Sequence, residues 1–334
     1  MHIGWTFFSD SIKLSSLKDI GKGIERDEME GEVPSLPNVD YNSDFEADIL
    51  TTCKRMRLKR RHPMLLIYYP DNMGRIVDED ITTVYEQFRR RGFSHVGKNI
   101  PELDVLLHTL GGSPDAAYMI AQTLRSFSSH VNFLIPFHAA SAGALTSFSG
   151  DKILFGAYAY LTPIDVSLGN ISSMSIEYFM NFAVESRIKM ESAMKDNKLS
   201  CNSSVESDLL VELVKQIKAL TVGKLYRHRT LAEYYAKSLL SNYMFKDRPD
   251  AQVLSKDISH TMVFQFPAHR FYMDITMCKK LGFIVDELDE EESDISKRIV
   301  KTLDESTMSG VICKKVRKSY RIPFIRLYGE RDLE

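Results

Sequence analysis

The chain has 334 residues, of which 44% are hydrophobic and 26% charged, and its formal net charge is −2 at pH 7. This length allows one large domain or two smaller ones, and the near-neutral charge argues against an overall electrostatic attraction to nucleic acid or membranes. The N-terminus lacks a basic region and an apolar run of signal-peptide length, and no uncharged apolar stretch approaches the roughly 20 residues that span a bilayer. We therefore expect a cytoplasmic location.

The first part of the chain is predicted to be an extension followed by the start of a folded domain. Residues 1–45 are rich in charges and turn residues, which favours an N-terminal extension. Apolar spacing predicts a helix over 46–62, a buried strand over 64–70 and an amphipathic helix over 78–92 that ends at Gly92.

The central region alternates strands and helices. Strands are predicted at DVLLHTL (104–110), VNFLIPF (131–137) and KILFGAYAYLTP (152–163). Ser113 is a suitable N-cap for a helix that begins at Pro114, and the small residues of 141–150 predict a second, short helix. This alternation implies parallel pairing with right-handed crossovers, and hence an α/β fold.

The last third of the chain is predicted to be mainly helical. Residues 175–245 have a helical pattern that is broken by the polar stretch 195–208, and 259–288 close the folded unit with a helix, a Gly282 cap and an apolar strand. We therefore divide the chain into an N-terminal extension (1–45), one domain (46–288) and a C-terminal tail (289–334).

Few other motifs carry chemistry. The four cysteines, Cys53, Cys201, Cys278 and Cys313, are scattered, as expected for free thiols in a reducing compartment. The sequence contains no H-E-x-x-H, no Walker-type glycine loop and no cysteine–histidine zinc spacing, so neither a metal nor another cofactor is indicated. The basic run CKRMRLKRRH (53–62) is interpreted as a solvated helix face, with no nucleic-acid partner.

Two successive strand–turn–helix units carry the residues that acyl transfer requires. Ser141 lies between two alanines at a predicted helix start, where it is placed to act as a nucleophile. The N–H groups of Ala142 and of Gly112, which follows a strand, are predicted to bind the oxyanion. The alternative is that Ser141 simply caps a closely packed helix.

These motifs resemble the ClpP/crotonase superfamily, and most of all its serine dehydrogenase proteinase branch, which is related to signal peptide peptidase A. The resemblance is carried by LHTLGG (107–112), ASAGAL (140–145), LTPIDVS (161–167) and FPAHRFYMDITMCKKLGFIV (266–285), and it spans about residues 50–288. It implies a ClpP/crotonase-like spiral core of repeated β-β-α units, a homo-oligomer, and a peptide or protein substrate.

The general base is left open among several residues. The related peptidases use a lysine, for which Lys189 and Lys195 are the candidates, and His269 falls on a histidine of the family segment. The region of the Clp subunit's catalytic histidine holds Thr162, Pro163 and Asp165, so a Clp-type triad is not expected.

The remaining site residues are assigned to substrate binding or support. Gly111, Ser113 and Asp165 are assigned to substrate binding, although Asp165 is also suited to orienting a base or capping a turn. His108 is interpreted as a brace of the glycine turn, and His138 as a weak candidate that approaches the site from a strand end.

Three functions are compatible with these observations. The preferred one is a serine peptidase that acts through Ser141 with a backbone oxyanion hole and a lysine or histidine base. The second is a catalytically silent scaffold or partner-binding subunit, favoured by the absence of an obvious base. The third is a crotonase-type enzyme that binds acyl-CoA thioesters in the same oxyanion hole without needing Ser141.

Overall fold

A computed structural model describes residues 43–71, 74–97, 99–168, 171–195, 219–308 and 324–329, and two helical positions at 212 and 215. Most of the predicted N-terminal extension, nearly all of the polar stretch 195–208 and the basic run 314–318 lie outside these residues. None of the described helices combines the length and the apolar character that crossing a bilayer requires.

The described residues form ten strands and nine α-helices. The strands are β1 (Met64–Tyr68), β2 (Ile100–His108), β3 (Ser128–Ile135), β4 (His138–Ala139), β5 (Lys152–Phe155), β6 (Tyr160–Leu161), β7 (Ser167–Leu168), β8 (Ile171–Ser172), β9 (Val285–Glu287) and β10 (Phe324–Tyr328). The helices are α1 (Ser43–Arg60), α2 (Glu79–Arg90), α3 (Pro114–Phe127), α4 (Ala142–Ser147), α5 (Ser173–Lys195), α6 (Ala219–Leu239), α7 (Ala251–His260), α8 (Ile275–Leu281) and α9 (Glu290–Met308).

Six of these strands form one main sheet in the order β10-β1-β2-β3-β5-β9. All neighbours in it are parallel except β10, which is antiparallel to β1. Short pairs outside this sheet join β4 with β6 and β7 with β8. The α/β class and the parallel pairing predicted from the sequence are confirmed.

The main sheet is buried on both faces, which explains why its strands are nearly continuous apolar runs. Successive side chains of a strand point to opposite faces. In β1, Leu65 and Ile67 therefore enter the core that contains α2, α3, α4 and α6, whereas Met64 and Leu66 enter the second core with α1 and α9.

The helix boundaries follow local capping chemistry. The Ser113 hydroxyl accepts a hydrogen bond from the Ala116 N–H at the start of α3, with Pro114 as the first helical residue. The α8 helix ends at Gly282, whose φ of +98° is the left-handed conformation of a C-terminal cap. Both caps were predicted.

The predicted strand over 152–163 is wrong in its extent. A turn at Gly156–Ala159 divides it into β5 in the main sheet and β6, which pairs with β4. A Cβ on Gly156 would lie 2.5 Å from the carbonyl oxygen of Pro136, so the chain turns where only glycine fits. This division places the segment after β6 beside the turn that carries Ser141.

The C-terminal segment contributes to the fold. The range 289–334 was predicted to be a tail, but α9 packs against α1 and β10 forms the edge strand beside β1.

The acidic start of α9 also pairs with the basic run of α1. Lys59 Nζ lies 2.9 Å from Asp289 and 2.8 Å from Glu291, and Arg60 contacts Glu292 at 3.0 Å and Asp104 at 2.5 Å. The interpretation of the basic run as a purely solvated face is therefore wrong for Arg60, whose side chain is only 15% exposed.

Candidate functional site

Ser141 lies at a sharp strand-to-helix turn between β4 and α4. Its φ is +50° and its ψ is −109°, a conformation that costs a non-glycine residue about 1–3 kcal/mol. The Ser141 N–H donates to the Thr162 hydroxyl at 2.9 Å. Thr162 lies in the segment that follows β6 and is buried. Its hydroxyl therefore holds the backbone of the Ser141 turn in place.

The glycine pair packs directly against this turn. Gly111 has φ +102°, and a Cβ there would lie 2.8 Å from the Ala140 carbonyl oxygen and 3.0 Å from the Ser141 Cβ. Its own N–H donates to the Thr109 hydroxyl at 3.0 Å. Because glycine has no Cβ, Gly111 allows the glycine turn and the Ser141 turn to pack this closely.

Gly112 pairs with Ile76 in an isolated parallel bridge. Its φ is +155°, and a Cβ would lie 2.2 Å from the Ile76 carbonyl oxygen. The bridge uses the Gly111 carbonyl, which accepts from the Ile76 N–H, and the Ser113 N–H, which donates to the Ile76 carbonyl, both at 2.9 Å. The N–H of Gly112 takes no part in these two bonds.

A cavity of about 80 Å³ lies in front of these turns. Its volume exceeds the roughly 30 Å³ that a water occupies in the liquid but is well below the roughly 300 Å³ of a small-molecule pocket. It therefore accommodates a reacting group rather than a whole substrate. The cavity is lined by Arg75, Leu110, Gly112, Pro114, Ser141, Ile164, Asp165, Val166 and His269.

His269 faces Asp165 inside this cavity. The His269 Nδ1 lies 3.9 Å from Asp165 Oδ2, and the Asp165 side chain is only 3% exposed. The Ser173 hydroxyl donates to the other carboxylate oxygen at 2.8 Å, which fixes the carboxylate. The cavity is therefore lined by a serine, a histidine and an aspartate.

Several charges act on the His269 imidazole. Burial lowers its pKa below the usual 6.5, Asp165 opposes this effect, and Arg75 and Arg270 add to it. The imidazole is therefore neutral at pH 7, which is the form that accepts a proton.

Of the two predicted lysines, Lys189 does not line the cavity. The Lys189 side chain on α5 is 80% exposed and its Nζ lies 3.9 Å from Glu185. The side chain of Lys195 lies outside the described residues. Of the two predicted bases whose side chains the structure describes, His269 lines the cavity, and Lys189 stays a prediction with no support from the geometry of this chain.

The remaining predicted residues surround the cavity. Ala142 is the first residue of α4, where a helix has no internal acceptor for its N–H. Ser113 is occupied as the N-cap of α3, and it and Gly111 are not among the lining residues. Sequence analysis missed Thr162 and Arg75 as site residues, because a lone threonine or arginine carries no local signal.

His108 and His138 are not among the residues that line the Ser141 cavity. His108 stacks on Tyr68, which belongs to the core with α1 and α9. Both histidines face Asp71, a residue that the sequence analysis did not single out. They therefore do not contribute side chains to the cavity, and His138 does not approach Ser141 as a base.

The electrostatics of this second cluster are set by burial and by the carboxylate. Burial lowers the pKa of His108, against the opposing effect of Asp71. Burial also disfavours the Asp71 carboxylate, but its contacts with the two histidines outweigh this and hold its pKa well below the usual range.

The fold and the cavity define an α/β protein with a buried serine at a strained turn. Residues 89–199 match the model of the family described as ClpP-like SDH-type serine proteinase. This range contains the glycine pair, Ser141 and Asp165, so the resemblance drawn from these motifs is confirmed. The region that builds most of the cavity is therefore similar to ClpP-like serine proteinases.

Individual relatives are more distant. Two uncharacterized proteins of Methanocaldococcus jannaschii are 35% and 31% identical over 74 residues, which cover 22% of this chain and 26% and 25% of theirs. The chain thus matches about a quarter of the length of these curated relatives. ClpP1 from Listeria monocytogenes superposes with a TM-score of 0.37 at 14% identity, over 72% of this chain and 98% of ClpP1. An asparagine-to-aspartate mutant of ClpP1 gives 0.36 at 12% identity, over 72% and 99%.

Proposed function

We propose that this chain is a serine peptidase in which Ser141 is the nucleophile, His269 the general base and Asp165 the residue that orients the base. The observation that carries the proposal is the shared cavity, which is lined by all three residues and by Gly112. The similarity of residues 89–199 to a family of ClpP-like serine proteinases supports the same chemistry.

The reaction follows from these positions. As the Ser141 Oγ bonds to the peptide carbonyl carbon, His269 accepts the hydroxyl proton and becomes an imidazolium facing the Asp165 carboxylate. The carbonyl oxygen becomes an oxyanion that accepts hydrogen bonds from the N–H groups of Gly112 and Ala142. His269 then protonates the leaving amine as the C–N bond breaks, which leaves an acyl group on Ser141.

The second half of the reaction repeats these roles with water. His269 takes a proton from a water molecule, whose oxygen attacks the ester carbonyl. The tetrahedral intermediate expels the Ser141 Oγ, which recovers its proton from His269, and a carboxylic acid is released. No cofactor is required by this sequence of steps.

The size of the cavity bears on substrate recognition. Because about 80 Å³ holds little more than the reacting group, the rest of the peptide has to lie outside it. The family resemblance implies recognition through the peptide backbone, by addition of a strand beside the glycine turn. A cytoplasmic location and a homo-oligomer remain part of the proposal, the first from the sequence analysis and the second from the family resemblance.

Labelling with a fluorophosphonate probe tests the nucleophile. We expect the native chain to be labelled and Ser141→Ala to lose all labelling while its circular dichroism and thermal unfolding stay native. Ser94→Ala, which changes a serine outside the cavity, serves as the matched control and should label normally.

Two outcomes would overturn the proposal. Labelling that persists in Ser141→Ala would place the reactive group elsewhere. A folded, assembled native sample that takes up no probe and cleaves no unfolded protein would favour the silent scaffold.

A further inference from the structure

Three side chains with metal-binding atoms meet at the carboxyl ends of the central strands, outside the Ser141 cavity. His108 ends β2, His138 begins β4, and Asp71 follows β1. One ligand atom from each of them lies within 4.8 Å of the other two. Both histidine Nε2 atoms approach the same oxygen, Asp71 Oδ1, at 3.3 Å for His108 and 3.0 Å for His138.

His108 is not satisfied by hydrogen bonds. Its side chain is 3% exposed, and neither ring nitrogen has a hydrogen-bond partner among the described residues. Its Nε2 is close to Asp71 Oδ1 but is not aligned for a hydrogen bond, whereas His138 is aligned. A buried polar ring without a partner costs about 1–3 kcal/mol, and such a group in a native protein commonly marks a bound water or ion.

Aromatic side chains hold the two imidazoles in place. His108 stacks on Tyr68 with 5.4 Å between ring centroids and meets Phe137 edge-on at 6.1 Å. His138 stacks on Tyr160 at 5.5 Å. Two fixed, converging imidazoles are a preorganised ligand pair, which is what metal affinity requires.

The surroundings also favour a cation. The Tyr68 hydroxyl donates to the Asp304 carboxylate, and the charge of Asp304 acts on His108. The negative charges of two carboxylates, Asp71 and Asp304, therefore act on this cluster. The Asp71 side chain is 49% exposed, which leaves the cluster accessible from solvent.

We propose that Asp71, His108 and His138 bind a divalent transition-metal ion of the Zn²⁺ class. Two imidazoles and one carboxylate suit this class, because Ca²⁺ and Mg²⁺ prefer oxygen ligands alone. Three protein ligands leave a fourth position for water.

The site is connected to the proposed catalytic turn through the backbone. The Thr109 N–H donates to the His138 carbonyl at 3.3 Å, and the Ala140 N–H donates to the Thr109 carbonyl at 2.9 Å. Thr109 directly follows His108, and its hydroxyl accepts from Gly111. A bound metal therefore ties together the two strand ends that carry the glycine pair and Ser141.

Direct metal binding tests this inference on the full chain after treatment with a chelator. We expect one Co²⁺ per chain, seen as visible d–d absorption that Zn²⁺ displaces, and a rise in thermal unfolding temperature with added Zn²⁺. Asp71→Ala and His138→Ala should each weaken Co²⁺ binding by at least about 100-fold. Because Asp71 is half exposed, its variant remains informative if His138→Ala does not fold.

Two controls separate this site from others. His260→Ala removes a histidine that is 2.9 Å from Glu233 at the surface and should leave Co²⁺ binding unchanged. Ser141→Ala should also bind Co²⁺ normally, because its side chain lines the cavity and is not one of the three ligands. The proposal is overturned if the native chain shows no saturable Co²⁺ binding, or if the Asp71 and His138 variants bind as tightly as the native chain.

Discussion

The Ser141 cavity and the Asp71–His108–His138 cluster lie at the same edge of one sheet, but the first is formed mainly by backbone and the second by side chains. The cavity depends on backbone: two glycines with positive φ, a strained serine and the N–H groups around them. The cluster depends on side chains whose rings are fixed by aromatic neighbours. The conformation of the backbone determines the cavity, whereas the identity of its three side chains determines the cluster.

The two regions are adjacent because a strand sends successive side chains to opposite faces. Leu107 enters the core next to α4, and His108 enters the other core beside Tyr68. One strand end thus supports two sites. Substitution of the cavity side chains should therefore leave metal binding at the cluster intact, and the first of the following experiments tests this.

The largest expected effect concerns the general base. His269→Ala should lower kcat/KM for peptide hydrolysis by about 10²–10⁴-fold, because it removes the group proposed to accept the Ser141 proton. Lys189→Ala should leave the rate unchanged, since that side chain is 80% exposed. Hydrolysis rates of the two purified variants, with Co²⁺ binding measured in parallel, provide the check.

The opposite pattern would revise the mechanism. Loss of activity in Lys189→Ala with a nearly native His269→Ala would assign the base to a lysine that acts in a neighbouring subunit. Loss of Co²⁺ binding in His269→Ala would show that the two sites are not independent.

A backbone-built site should also be sensitive to a single added Cβ. Gly112→Ala places that atom 2.2 Å from the Ile76 carbonyl oxygen at φ +155° and should lower the free energy of unfolding by about 3 kcal/mol, with loss of activity. Gly223→Ala is the matched control, because this residue is in the interior of α6 and a Cβ would meet nothing within 4 Å. It should stabilise the protein by about 0.5–1 kcal/mol.

Urea unfolding of these two variants measures the difference, provided that the m-value is unchanged. Equal midpoints for Gly112→Ala and the native chain would mean that the glycine turn can relax, which the close contact with Ile76 argues against.

The smallest expected effect is a shift in pH dependence. The base must be neutral, so activity is present above the pKa of His269 and is lost as the pH falls through it. Burial lowers this pKa, so the acidic limb of kcat/KM should lie below pH 6.5. Asp165→Asn removes the charge that opposes this lowering, and the limb should move to still lower pH.

A pH–rate profile of the two proteins, with His260→Ala as a control that keeps the native limb, tests the assignment. A limb that stays fixed in Asp165→Asn would mean that Asp165 does not act on the catalytic group.

Much of the fold could be predicted because it is encoded locally. MLLIYYP, DVLLHTL and VNFLIPF are largely apolar runs, as parallel strands buried on both faces require, and each overlaps a strand of the main sheet. The run KILFGAYAYLTP gave no sign of the turn at Gly156, because the apolar pattern continues through it. The sheet edge formed by β10 was missed because its pairing with β1 is specified by tertiary contacts alone.

The two sites also differ in how much of each can be recognised from a short stretch of sequence. Gly112 and Ser141 stand in small-residue turns after strands, a pattern that is visible in a short window. The choice of His269 over Lys189 depends on how distant segments pack and could not be made from spacing. Asp71, His108 and His138 come from three strand ends, so no metal-ligand spacing exists in the sequence to detect.

The pairing of β1 with β10 has a consequence for synthesis of the protein. Met64 is paired with Tyr328, so one edge of β1 cannot be covered until residues 324–328 have left the ribosome. Until then the hydrogen-bonding groups of that apolar strand are open to pairing with other chains. Nascent or truncated forms that lack 324–328 should therefore depend on chaperones and tend to aggregate.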